Sequence, residues 1–282
     1  MKRQICLLTV VILATVTLFT GCGTKGTTGS TLTDNTLTVA MECGYAPYNW
    51  TQPDNSNGAV QIKDSSDYAY GYDVMMAKHI ADELGMKLEI VKLDWDSLVT
   101  AVQAGTVDCV IAGQSITADR LKMVDFSKPY YYASIVSLVK SEGKYKDAKS
   151  IADLAGATCT SQQNTVWYDS CLPQIKDAKI LPAQESAPAM LVALESNKCD
   201  AIVTDKPTAM AACVAYPDFK MLNFSGTSGD FKVSDEEINI GVSLQKGNKD
   251  LLNKINGVLS KMTPDDYENM MKDAIKVQPL SK

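Results

Sequence analysis

The sequence predicts an α/β protein built as two similar lobes. Three observations carry that expectation. From Leu37 onward, short apolar runs alternate with stretches of helical period, the pattern of a sheet wrapped by helices. The stretches VTAVQAGTVDCVIAG (residues 99–113) and LVALESNKCDAIVTD (residues 191–205) align without a gap. Each runs helix, then Gly or Asn, then Asp, then an apolar strand. The chain has 282 residues, long enough for one large domain or two smaller ones.

The elements follow in order. LTVAMEC is the first strand. GYDVMMAKHIADELG is a helix, with Asp73 placed to cap it, Ala77, Ile80, Ala81 and Leu84 as its apolar face, and Gly85 as its stop. His79, the one histidine of the chain, sits on this helix as a solvated residue. MKLEIVKL is a strand, DSLVTAVQAG a short helix and VDCVIAG a strand. The second set begins near Ser134: SIVSLVK as a strand, SIADLAG as a short helix, ATCTS as a strand, APAMLVALESN as a helix and CDAIVTD as a strand. In the paired stretches Gly105 and Asn197 close the helices, and these residue types best tolerate a left-handed end. Gly113 and Asp205 fall at equivalent places just past the strands. INIGVSLQ gives a last strand, and Leu251, Ile255, Val258, Leu259 and Met262 recur at helical spacing as a core stripe.

Composition excludes several functions. The net charge is −6, and an acidic chain is poorly suited to nucleic acid, where affinity rests on neutralising phosphates. A single His argues against a His-rich metal site or a His-based triad. There is no CxxC pair among the eight Cys, so no metal cluster is expected. Nothing asks for a cofactor. Cys109, Cys159 and Cys199 lie in or beside apolar runs, where a thiol behaves as a small hydrophobe, and free thiols are favoured over disulfides.

The N-terminus reads as a targeting segment. Lys2 and Arg3 precede an apolar run that ends in small residues, the order of a secretion signal. FTGC resembles a bacterial lipobox, which makes residues 1–21 a signal peptide and Cys22 a lipidated first residue. Residues 22–36 are rich in Gly, Thr and Ser and form a flexible tether. The expected location is the outer face of the cytoplasmic membrane, with membrane lipid as a partner through Cys22.

AGQSITADR places small residues, hydroxyls and Arg120 at a strand edge, which suits an anion. With MECGYAPYNW, YGYDVMMAKHIADELG, the run from Trp95 to Tyr131 and CDAIVTD, it resembles the polar amino acid group of ABC-transporter binding proteins, bacterial extracellular solute-binding protein family 3. The resemblance implies a type 2 periplasmic-binding-protein fold, two α/β lobes joined by two hinge strands. Lobe 1 is expected at residues 37–131 plus 238–282, and lobe 2 at 132–237. It also implies a monomer that captures a free, polar or cationic L-amino acid and delivers it to ABC permease subunits. No chemistry is implied. The alternative on the same fold is a dehydratase acting on a small carboxylic acid, which would need a tuned acid or base such as Glu42 or Asp205.

Site residues carry over from the resemblance one by one. Arg120 matches the carboxylate grip, where a planar guanidinium binds bidentately. Gly113 and Ser115 match positions that hold the ligand head, and Thr117 is either a helix cap or a contact. Thr165 matches a second-lobe donor. Relatives often place Gly before that Thr; here it is Asn164, which shares the left-handed conformation. Asp205 matches the acceptor for the α-ammonium, beside its simpler reading as a cap of the following turn. Tyr45 and Trp95 match two rings that sandwich the side chain, and Glu42 matches an acid near its far end. Trp50 and Gln114 are weaker candidates for the pocket wall.

Overall fold

The computed structural model describes residues 35–279. The signal peptide, Cys22 and nearly all of the tether lie outside the described residues. In the first half of the chain come β1 (Thr36–Met41), β2 (Gly44–Tyr45), β3 (Asn49–Gln52), β4 (Val60–Gln61) and β5 (Tyr68–Tyr70), then α1 (Tyr72–Glu83), β6 (Lys87–Lys92), α2 (Leu98–Ala104), β7 (Cys109–Val110), α3 (Ala118–Met123) and β8 (Val124–Tyr132). The second half adds β9 (Ile135–Lys140), β10 (Thr158–Thr160), β11 (Lys179–Ile180), α4 (Ala187–Glu195), β12 (Ala201–Asp205), α5 (Lys206–Ala215) and β13 (Phe219–Leu222). The chain closes with α6 (Asp235–Ile238), β14 (Asn239–Gln245), α7 (Lys249–Leu259) and α8 (Pro264–Val277).

Two five-stranded sheets organise the fold, in the orders β6-β1-β7-β14-β8 and β11-β10-β12-β9-β13. They share one topology. In each, a central strand (β1, β10) pairs parallel with two neighbours, and the next strand (β14, β9) runs antiparallel. The gapless repeat is realised residue for residue. Cys109 pairs with Val39 of β1, and its counterpart Ala201 pairs with Cys159 of β10. The repeated Asp does the same work twice: Asp108 Oδ2 accepts from Thr38 N at 2.8 Å, and Asp200 Oδ2 from Thr158 N at 2.8 Å. Gly105 and Asn197 close their helices at φ 70° and 57°.

The first sheet draws its strands from both ends of the chain, and the second from the middle. The two crossings run side by side: Asn239 pairs with Tyr132, and Ala133 N donates to Ile238 O at 3.4 Å. β8 carries Pro129, which cannot donate to a ladder, and it lies at the sheet edge where that is tolerated. Leu251, Ile255, Val258 and Leu259 of α7 are buried, as their spacing predicts. All six cysteines among the described residues are free, and five are buried.

One expectation is corrected. Asp73 does not cap α1; Gly71 is the N-cap, without a side-chain bond. A Cβ on Gly71 would lie 2.4 Å from Tyr48 O, and its φ of 128° also demands glycine. Asp73 sits inside the first turn, buried, with its carboxylate turned into the core. There Asn49 Nδ2 and Tyr130 Oη donate to it at 2.7 and 2.8 Å. The small sheet β2-β3-β5-β4 is also absent from the sequence reading, because strands of two to four residues leave almost no period to detect.

Candidate functional site

Most of the residues singled out in the sequence gather in two groups where the two halves of the chain meet. The first surrounds a cavity of about 470 Å³, lined by Trp95, Asp96, Gln114, Arg120, Asn164 and Thr165 among others. That volume suits a small-molecule site. Arg120 stands on α3, whose first turn is capped by Thr117: its Oγ1 accepts from Arg120 N at 3.3 Å. Thr117 therefore caps the helix and also borders the cavity. Arg120 is 8% exposed. Nη1 donates to Ser115 O at 2.9 Å and Nη2 to Asn164 O at 2.7 Å, and Cζ lies 5.3 Å from the Trp95 ring centre. Burial lowers its pKa to about 10, so it stays charged at neutral pH. Ser115 reaches this group through its carbonyl.

Trp95 is anchored across the gap, with Nε1 donating to Gln163 O at 3.1 Å. The loop it touches belongs to the second half of the chain. Asn164 adopts φ 55°, the left-handed conformation expected of it. Thr165 is buried and uses its hydroxyl within its own loop, donating to Gln162 O at 2.7 Å and accepting from Tyr168 N at 3.3 Å.

The second group packs shut beside the cavity. Tyr45 Oη donates to Asp205 Oδ2 in a very short hydrogen bond across the gap. Asp205 is fully buried at the end of β12 and caps α5, accepting from Thr208 N at 3.0 Å and Thr208 Oγ1 at 2.8 Å. The cap that one sequence reading expected is present, and the same carboxylate also accepts from Tyr45 of the first half of the chain. Burial raises its pKa, while its three donors hold it down. The Tyr45 ring stacks on Tyr48 at 4.8 Å and lies 6.2 Å from Trp167. Beneath it, Gly113 has φ 64°, and a Cβ there would approach Tyr45 Cε1 to 2.7 Å. The Gly113 N–H donates to Tyr130 Oη at 3.2 Å, which hands on to Asp73.

Glu42 meets the second half of the chain at another point. It is nearly buried and accepts from Gln162 Nε2 at 3.5 Å. Burial pushes its carboxyl up to about 7. Trp50 belongs elsewhere, against Tyr70 at 5.4 Å. Gln114 lines the cavity and accepts from Ser243 Oγ at 2.9 Å.

Sequence reasoning missed the acids around Arg120. Asp96, Asp119, Asp169 and Glu237 all border the same cavity. They come from four separate stretches of chain, so no local motif announces them. No His, Cys, Asp and Glu cluster among the described residues is arranged to hold a metal ion.

The profile of the bacterial extracellular solute-binding proteins, family 3, matches residues 37–275. The chain belongs to this family. The ABC transporter glutamine-binding protein of Bacillus subtilis is 29% identical over 98% of this chain and 99% of its own length. An amino acid ABC transporter substrate-binding protein from Streptococcus pneumoniae, solved bound to L-arginine, superposes with a TM-score of 0.74 at 28% identity, covering 86% of this chain and 95% of its own. An ancestral amino-acid-binding protein described as a precursor of cyclohexadienyl dehydratase superposes at 0.68 with 30% identity, covering 86% and 96%. The two mixed sheets are those of the type 2 periplasmic-binding-protein fold.

Proposed function

We propose that this family 3 protein captures a cationic L-amino acid between its two lobes, Arg120 taking the α-carboxylate and Asp205 the α-ammonium. The chain is a substrate-binding protein of an amino-acid ABC importer, a binder rather than an enzyme. The observation that carries the ligand class is the charge of the cavity: among the described residues four carboxylates border it against one guanidinium, and only Asp119 of the four is paired with a lysine, Lys122 at 2.6 Å. A cleft lined by one sign of charge concentrates ligands of the other. Arg120 then marks where the ligand's own negative end belongs. The arginine-bound relative supports the same class.

In this reading the amino acid docks on Arg120 beside Trp95, and the side chain runs between Trp95 and Tyr45 toward Glu42. The ring faces favour a guanidinium or ammonium by cation–π contact. Asp205 is reached when Tyr45 gives up its hydrogen bond, so the phenol and the ligand's ammonium compete for one carboxylate. Lobe closure then shifts the population toward the form that docks on the permease. Gly113, Ser115 and Thr165 shape the head-group side through backbone and hydroxyl. The proposed lobes are residues 37–131 plus 238–282 and residues 132–237, a division supported by the side-by-side pairing of Asn239 with Tyr132. Anchoring of the mature chain through lipid on Cys22 completes the proposal.

A thermal-shift screen with the common L-amino acids tests it. A ligand that binds only the folded form raises the melting temperature. L-arginine, L-lysine or L-ornithine is expected to give the largest rise. A rise with acidic amino acids alone, or with none, contradicts the proposal.

A further inference from the structure

We propose that Asp96 is a latch across the lip of the cleft, a positioning residue that holds the 163–164 loop against Arg120 and slows reopening of the lobes. The proposal rests on the capture reading above. Asp96 follows Trp95 in the turn before α2, and its side chain is exposed. Its hydrogen bonds within the described residues both cross to the other lobe. Gln163 Nε2 donates to Oδ2 at 2.5 Å and Asn164 Nδ2 to Oδ1 at 2.6 Å. Each oxygen of one carboxylate is therefore matched to a separate amide.

The same two residues are gripped on their backbones. Gln163 O accepts from Trp95 and Asn164 O from Arg120. Two successive residues of the second lobe are thus held at side chain and carbonyl by three residues of the first. Asp96 adds nothing to the cavity's recognition of a carboxylate, since its charge has the wrong sign for that end. Its geometry serves closure. A contact that forms only once two surfaces have met acts on dissociation more than on encounter.

Three variants separate the latch from general damage. Asp96→Ala removes the acceptor, and Gln163→Ala removes one donor. Asn164→Gly removes the other while keeping the loop, because glycine adopts φ 55° without strain. Stopped-flow tryptophan fluorescence with L-arginine reads both rate constants. Asp96→Ala is expected to raise the dissociation rate ~10-fold and to slow association by a smaller factor, since one of the four cavity carboxylates goes with it, with an unchanged melting temperature of the protein alone. The double variant Asp96→Ala/Asn164→Gly is expected to fall short of the product of the single effects, because the pair shares one contact. Asp96→Glu, which keeps both oxygens, is expected to recover part of the loss. An unchanged dissociation rate, or effects that multiply fully, overturns the latch.

Failure of L-arginine to bind the wild-type protein would instead overturn the cationic reading. The latch is then decided by small-angle scattering of the same variants without amino acid. The radius of gyration is expected to rise in Asp96→Ala and Asn164→Gly relative to wild type, and equal radii overturn it.

Discussion

β7 runs out into Gly113 and β12 into Asp205, at positions that the internal repeat makes equivalent. The two strand ends share backbone pairing, a preceding helix closed by a left-handed residue, and an Asp that clamps the central strand. They differ in the residue that faces the cleft. Gly113 offers no side chain and lets the Tyr45 ring lie on its backbone. Asp205 offers a buried carboxylate that caps α5 and meets the same tyrosine from the other side. One scaffold thus yields a floor and an acid. In the proposed reading, specificity resides in these single positions past the strands rather than in the sheets.

The largest expected effect is at Arg120, on the helix that follows the Gly113 strand end. Arg120→Ala removes the only cation that borders the cavity among the described residues. Hydrogen bonds between charged groups contribute about 1.5–3 kcal/mol each, so loss of two predicts affinity lower by ~10²–10⁴-fold. Isothermal titration calorimetry reads that loss, while circular dichroism should show a folded protein. Unchanged affinity would remove Arg120 from the site.

The second half is sharpened by two substitutions at Asp205. Asn caps a helix about as well as Asp, whereas Ala forfeits about 0.5–2 kcal/mol. Asp205→Asn is expected to keep the melting temperature and to lose ~30-fold or more in affinity through the missing charge. Asp205→Ala is expected to lose both. Equal affinity of Asp205→Asn and wild type would leave Asp205 a cap alone.

Gly113→Ala attacks the floor. The left-handed φ costs an alanine about 1–2 kcal/mol, and the Cβ would meet the Tyr45 ring at 2.7 Å. The expected loss of stability is about 2–4 kcal/mol in chemical denaturation, with weaker ligand binding. A variant as stable as wild type would break the comparison at its first term.

The smallest effect concerns Glu42. Burial raises its pKa from 4.5 to about 7. Between those values the unfolded form has released the proton and the folded form has kept it. Stability linked to this group is therefore full below pH 4.5 and declines as pH rises to about 7. Glu42→Gln should flatten that decline and raise stability at pH 8 by up to about 3 kcal/mol. Asp73, also raised to about 7 by burial, keeps part of the slope in the variant. An identical pH profile in Glu42→Gln would remove Glu42 as its source.

Much of this was legible in the sequence, because it is local. The repeat marked β7 and β12 as matched strands, with left-handed ends at Gly105 and Asn197 and with Gly113 and Asp205 at equivalent places. Asn164 was readable from its tolerance of positive φ. What stayed hidden depends on distance along the chain. Asp73 looked like a cap because capping rules see only neighbours, while its real partners are Asn49 and Tyr130, 24 and 57 residues away. The Tyr45–Asp205 bond spans 160 residues, and the Asp96 contacts 67 and 68. No periodicity or turn chemistry encodes such pairs. They exist only once the two sheets face each other.

The central claim is that the two lobes read the two charges of one amino acid, Arg120 on α3 taking the carboxylate and Asp205 at the end of β12 the ammonium. Differential scanning fluorimetry of the wild-type protein with L-arginine and with agmatine tests it most directly. Agmatine keeps the guanidinium and the amine but lacks the α-carboxylate that Arg120 would hold. The account predicts a clear rise in melting temperature with L-arginine and little or none with agmatine at the same concentration. Equal rises with both, or no rise with L-arginine, would contradict it.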